Sequence, residues 1–148
     1  MSSSLYEGVA LVASAARTAT GNGDSVRLLE RLGGGRQNVN GVSLTLDLTN
    51  AATDAADTLN VFVQTKSDGT NWVDVVHFTE VLGNGSNALR YYSKVAAGTD
   101  DLEFEDGTAL ASGSVRHLLG IEWRARWAIV DSGNADQTFT FSVTATPV

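Results

Sequence analysis

The sequence contains no cysteine. Disulfides, a cysteine nucleophile, and thiolate zinc or iron–sulfur centres are therefore excluded. Histidine is nearly as scarce: His77 and His117 are the only two, and neither has a second ligand at HxH or HExxH spacing. Each reads as a packed or surface residue. A single proline stands against 15 glycines, so turns fall to Gly, Asn and Asp. Long hydrophobic runs are missing too. The apolar stretch Gly8–Ala16 is too short to span a bilayer. It has no Lys or Arg before it and Glu7 at its edge, against what a secretory signal needs. No GxSxG elbow occurs, and Gly33-Gly34-Gly35-Arg36 lacks the GK[ST] ending of a phosphate loop. These gaps read as a chain that is not an enzyme, with no cofactor and no metal.

What is present is enough for one folded unit. The 148 residues are 43% hydrophobic and only 18% charged, which suits a single domain with its own core. The net charge is −7, a sign that disfavours nucleic acid and anionic membranes as partners. The charge is local. Residues 1–40 hold four Arg and three acids, residues 41–110 three bases and eleven acids, and residues 111–148 three of each. The N-terminal third and the end of the chain are thus left to face an acidic partner, with Arg17 and Arg36 as the contact candidates.

Alternation of apolar and polar residues dominates the chain, the pattern of half-buried strands. In 121–129, Ile121, Trp123, Ala125, Trp127 and Ile129 share one face. In 138–146, Phe139, Phe141, Val143 and Ala145 do the same. The turn-forming linker 131–136 predicts an antiparallel hairpin between these two segments. Val42–Leu48 and Thr58–Thr65 alternate cleanly, and Asp68-Gly69 predicts a hairpin into 72–79. That segment carries apolar residues on both faces, which suits a central strand or a subunit contact. Further strands are expected at 88–95, 9–16 and 25–31, the last with a short helix as its alternative. Residues 96–117 carry little pattern. The expectation is an all-β protein, an antiparallel β-sandwich or jelly roll of about eight strands. Residues 9–148 form the one domain, and residues 1–8 a flexible N-terminal arm. The arm's Leu5 and Tyr6 are candidates for ordering on a neighbour.

Three local features invite chemistry. Asp101, Glu103 and Glu105 match the first acids of a calcium loop, but Asp106 occupies the glycine position, so a solvated face is the better reading. Ser67–Trp72 is similar to the Asp box of sialidases but departs from its spacing, and reads as a hairpin turn. Tryptophans stack on sugars. Trp123 and Trp127 sit on the apolar face of their strand and read as core, whereas Trp72 stays ambiguous.

One order of elements resembles a known kind of protein. It runs from Ala-Arg-Thr-Ala-Thr-Gly-Asn-Gly (16–23) through Leu44–Leu48 and Asp57–Thr65 to the turn Ser67-Asp68-Gly69 and Trp72-Val73-Asp74. It closes with Trp123-Arg-Ala-Arg-Trp127 and Phe139–Val143. This order resembles small β-sandwich virion proteins of tailed bacteriophages, the capsid decoration or cement-like accessory proteins. The resemblance implies a structural role on the capsid exterior, after synthesis in the host cytoplasm. It implies the major capsid protein and a homotrimer of the chain itself as partners. A carbohydrate- or receptor-binding β-sandwich, or a neck or tail subunit, is the alternative.

Overall fold

The computed structural model describes residues 8–28, 40–84, 87–98, 103–133 and 137–148. The expected arm contacts Leu5 and Tyr6, and Arg36, lie outside the described residues. In chain order the strands are β1 (Val9–Arg17), β2 (Gly21–Asn22), β3 (Val26–Arg27), β4 (Gly41–Asn50), β5 (Thr58–Thr65) and β6 (Val73–His77). Then come β7 (Val81–Leu82), β8 (Leu89–Ala96), β9 (Ser114–Val115), β10 (Glu122–Val130) and β11 (Phe139–Pro147). Two antiparallel sheets pack face to face. The first runs β1-β11-β4-β8. The second runs β2-β10-β5-β6-β9, with β3 also on β10 and β7 also on β5. The protein is an all-β antiparallel sandwich, as alternation predicts. The strand number exceeds eight because two-residue pairings at the sheet margins leave no periodic trace.

The core is the sum of the inward faces. Leu44, Leu46 and Leu48 of β4 and Phe141, Val143 and Ala145 of β11 are fully buried. So are Leu59 and Val63 of β5 and Ala125 of β10, with Val61 and Trp123 nearly so. Trp127 meets Phe141 edge-on at 5.7 Å, a favoured aromatic geometry. Both tryptophans of β10 are core residues, as read from the sequence.

The expected hairpin of the last two segments does not form. β10 pairs with β2, β3 and β5, whereas β11 pairs with β1 and β4. The linker between them crosses from one sheet to the other. Its anchor is Asp57, a buried residue of the β4–β5 connection, whose Oδ1 accepts the Ser132 N–H at 2.7 Å. Ser132 Oγ also donates to Asp54 Oδ2 at 3.2 Å. Two sheet-to-sheet crossings are thereby tied together. Alternation is the same whether a strand's neighbour lies beside it or opposite it, and turn chemistry in the linker does not decide between the two.

Other corrections are smaller. Ile121, expected inward, precedes β10 and is 49% exposed. Of the strand expected at 25–31, Val26 and Arg27 pair with Trp123 and Glu122, and residues 29–31 lie outside the described residues. The mixed pattern of 72–79 has a local cause. The β5–β6 register shifts between Val63 and Gln64, leaving Val75 as an extra residue. Val75 and Val76 are both buried, and Asp74 and His77 fall on the same outer face. A bulge of this kind re-aims side chains. The bulge, together with the place of β6 between β5 and β9 in its sheet, accounts for the apolar residues on both faces.

The Asp68-Gly69 hairpin forms as predicted. Gly69 has φ 76°, a conformation that favours glycine. The Asp68 carboxylate accepts the N–H groups of Asn71 and Thr70 at 2.8 and 2.9 Å and the Asn71 side-chain amide at 2.8 Å. Donors aimed at the ionised form lower its pKa from 3.8 to about 2. A depressed carboxylate stabilises the turn above its ordinary pKa, and the contribution is lost as pH falls through about 2. Carboxyl NMR titration should place the Asp68 midpoint near 2; an ordinary midpoint near 3.8 would contradict this turn.

Candidate functional site

The outer face of the second sheet concentrates arginine and aromatic residues. Registration across three strands builds it in rows. Arg124 of β10 lies beside Gln64 of β5, which lies beside Asp74 of β6; Arg126, Phe62 and His77 form the next row. Side chains engage within the rows and between them. Arg124 Nε donates to Gln64 Oε1 at 2.7 Å, and Gln64 Nε2 donates to Asp74 Oδ1 at 2.9 Å. Arg126 Nη2 reaches Asp74 Oδ2 at 3.0 Å, while its guanidinium lies 3.9 Å from the centre of the Phe62 ring. Phe62 in turn stacks on His77 at 4.0 Å.

Trp72, just before β6, carries two cations. Lys66 Nζ lies 4.7 Å from the ring centroid and the Arg124 guanidinium 4.4 Å. Each such contact is worth about 0.5–1 kcal/mol at a partly wet site. Lys66 also approaches Glu122 Oε2 at 3.7 Å. Arg124 is held less basic than an ordinary arginine, first by burial and then by the adjacent Arg126 charge, with Asp74 opposing.

Part of the unpatterned region 96–117 borders this face. Arg116 donates to the carbonyls of Thr108 and Ala109 at 2.7 and 3.3 Å and covers the Phe104 ring at 4.1 Å. A cleft of about 160 Å³ lies between this segment and the sheet, lined by Trp72, Asp74, Phe104, Asp106 and Arg116 among others. Glu103 and Glu105 are exposed, consistent with a solvated acidic face. His77 is buried, with Nδ1 2.8 Å from the Leu110 carbonyl oxygen and Nε2 2.7 Å from Asn60 Oδ1. His117 Nδ1 accepts the Ala96 N–H at 2.9 Å. Both histidines serve packing and hydrogen bonding. Among the described residues, no three of His, Asp and Glu gather as a metal site.

Of the contact residues expected from charge, Arg17 is described. Its guanidinium covers Trp127 at 4.5 Å and Phe141 at 5.4 Å, and Nη2 donates to the Ala13 carbonyl at 2.9 Å. It thus packs against the margin of the core, and reversing its charge would disturb Trp127 as well as any partner. The Arg124–Trp72 face was not singled out from sequence. Its traceable signal is Phe62, a large aromatic on the polar side of an alternating strand.

No protein-family model matches the chain, and no curated protein matches it.

Proposed function

We propose that the chain is a structural virion protein of a tailed phage, a capsid decoration (cement) protein that binds the head exterior as an oligomer, a homotrimer, and stabilises it. One observation carries this reading: the outer face of the second sheet is a braced layer of Arg124, Arg126, Trp72 and Phe62. Arginine and aromatic residues are the types enriched where proteins bury surface against each other. Mounting them on a sheet lowers the entropy cost of ordering them at a contact. The order of sequence elements shared with small phage sandwich proteins supplies the choice of partner, the major capsid protein. Repetition over many copies would turn a modest contact into firm attachment.

The sugar-binding alternative needs an uncovered aromatic face, and Lys66 and Arg124 lie over Trp72. Co-sedimentation with heads of the cognate phage, together with the mass in solution, tests the decoration role. A trimer that pellets with heads is expected. A strict monomer that never pellets would refute it.

A further inference from the structure

The geometry points to Arg124 as a receptor for a carboxylate on an acidic segment of a protein partner. The inference rests on the proposed reading only for taking the partner to be a protein. Lys66 has Glu122 within ion-pair distance and Arg126 has Asp74. Arg124 has no carboxylate within that distance among the described residues; its Nε is committed to neutral Gln64. Its two terminal nitrogens have no partner among the described residues, and they are not among the buried atoms lacking one. They therefore meet solvent, as a receptor requires.

The guanidinium is already positioned. Gln64 holds one edge and Trp72 its face, so little side-chain freedom is lost when an anion binds. A planar fork matches a carboxylate with two parallel hydrogen bonds. Two further cations stand beside it: Lys66 shares the Trp72 ring, and Arg126 is the next residue on the same face. Carboxylates of this chain also border the cluster, namely Asp74, Glu122 and, across the cleft, Asp106. The first two are engaged with Arg126 and Lys66. Arg126, two residues along the same strand, is engaged by Asp74, so a single carboxylate of the partner, held by Arg124, is the ligand.

The test uses the full chain and a short blocked peptide of alternating glutamate and alanine, followed by Trp fluorescence and calorimetry. Saturable binding is expected. It should weaken about tenfold or more in Arg124→Gln, recover in part in Arg124→Lys, and fall as salt rises from about 50 to about 300 mM. A glutamine–alanine peptide should not bind. Failure of the wild-type protein to bind, or equal binding by Arg124→Gln with an unchanged melting curve, overturns the inference. Equal or tighter binding of free glucuronate also overturns it, in favour of an acidic sugar. The two readings separate cleanly. Heads pelleting with a protein that ignores the peptide would reject the Arg124 site alone, and peptide binding by a protein that never pellets would reject the decoration role alone.

Discussion

Trp123→Ala is expected to cost about 3–5 kcal/mol, a large share of the roughly 5–15 kcal/mol that stabilises a typical domain. The indole is 1% exposed, and it lies on the inner face of β10 with Ala125 and Trp127. Its Nε1 donates to the Gly120 carbonyl at 2.8 Å. Truncation would remove the buried ring, open a cavity between two sheets that cannot close on it, and leave that carbonyl short of a donor. Trp72→Ala provides the contrast. It forfeits two cation contacts at a half-buried position, about 1–2 kcal/mol in all. Urea unfolding of the two variants should separate them clearly. Similar midpoints would mean that Trp123 does not stand in the core.

Gly83→Ala should be similarly severe, about 3 kcal/mol, at the upper end of the usual overpacking range. A Cβ at this position would overlap the carbonyl oxygen of Asp54 and lie 2.9 Å from the carbonyl oxygen of Ala52. These are backbone atoms of the β4–β5 connection, and they have no rotamer to yield. The approach is fixed by two hydrogen bonds, Gly83 N–H to the Asp57 carbonyl at 2.9 Å and Asn84 N–H to the Ala52 carbonyl at 2.7 Å. Gly69→Ala is the control, because there the φ is positive but the space around a Cβ is open. Its cost should be about 1–2 kcal/mol, the penalty of the left-handed conformation alone. Thermal or urea denaturation of both variants measures the difference. Equal losses would show that the close approach at Gly83 is not present.

The clean strands were legible because period two reports burial directly. Leu44, Leu46, Leu48, Phe139, Phe141, Val143 and Ala145 are all fully buried, as their spacing requires. The Asp68-Gly69 hairpin was legible because its backbone conformation and its carboxylate acceptor are local. The candidate face was not. Arg124 and Arg126 read as outward residues of one strand, and Phe62 and Gln64 as outward residues of another. Their union depends on β10 lying beside β5. The bulge at Val75 then brings Asp74 and His77 to the same side. The acidic stretch 103–106 carried no clue that Phe104 sits under Arg116. Charge counting pointed instead to Arg17, whose guanidinium packs on Trp127.

By itself, then, the sequence determined the class of the fold, which side chains of β4, β5, β10 and β11 turn inward, and the chemistry of the tight turn. These follow from local sterics and from burial of one face, and neither depends on distant residues. Tertiary structure alone decided which strands are neighbours. It sent β10 and β11 to opposite sheets through a linker held by Asp57, and it gathered Arg124, Trp72 and Lys66 into one cluster. Pairing in a sandwich joins segments far apart in the chain, and an alternating strand presents the same edge to any of several partners. The net charge of −7 follows from composition, whereas the place of Arg124 beside Gln64 and Trp72, with no carboxylate at ion-pair distance among the described residues, depends on strands lying side by side.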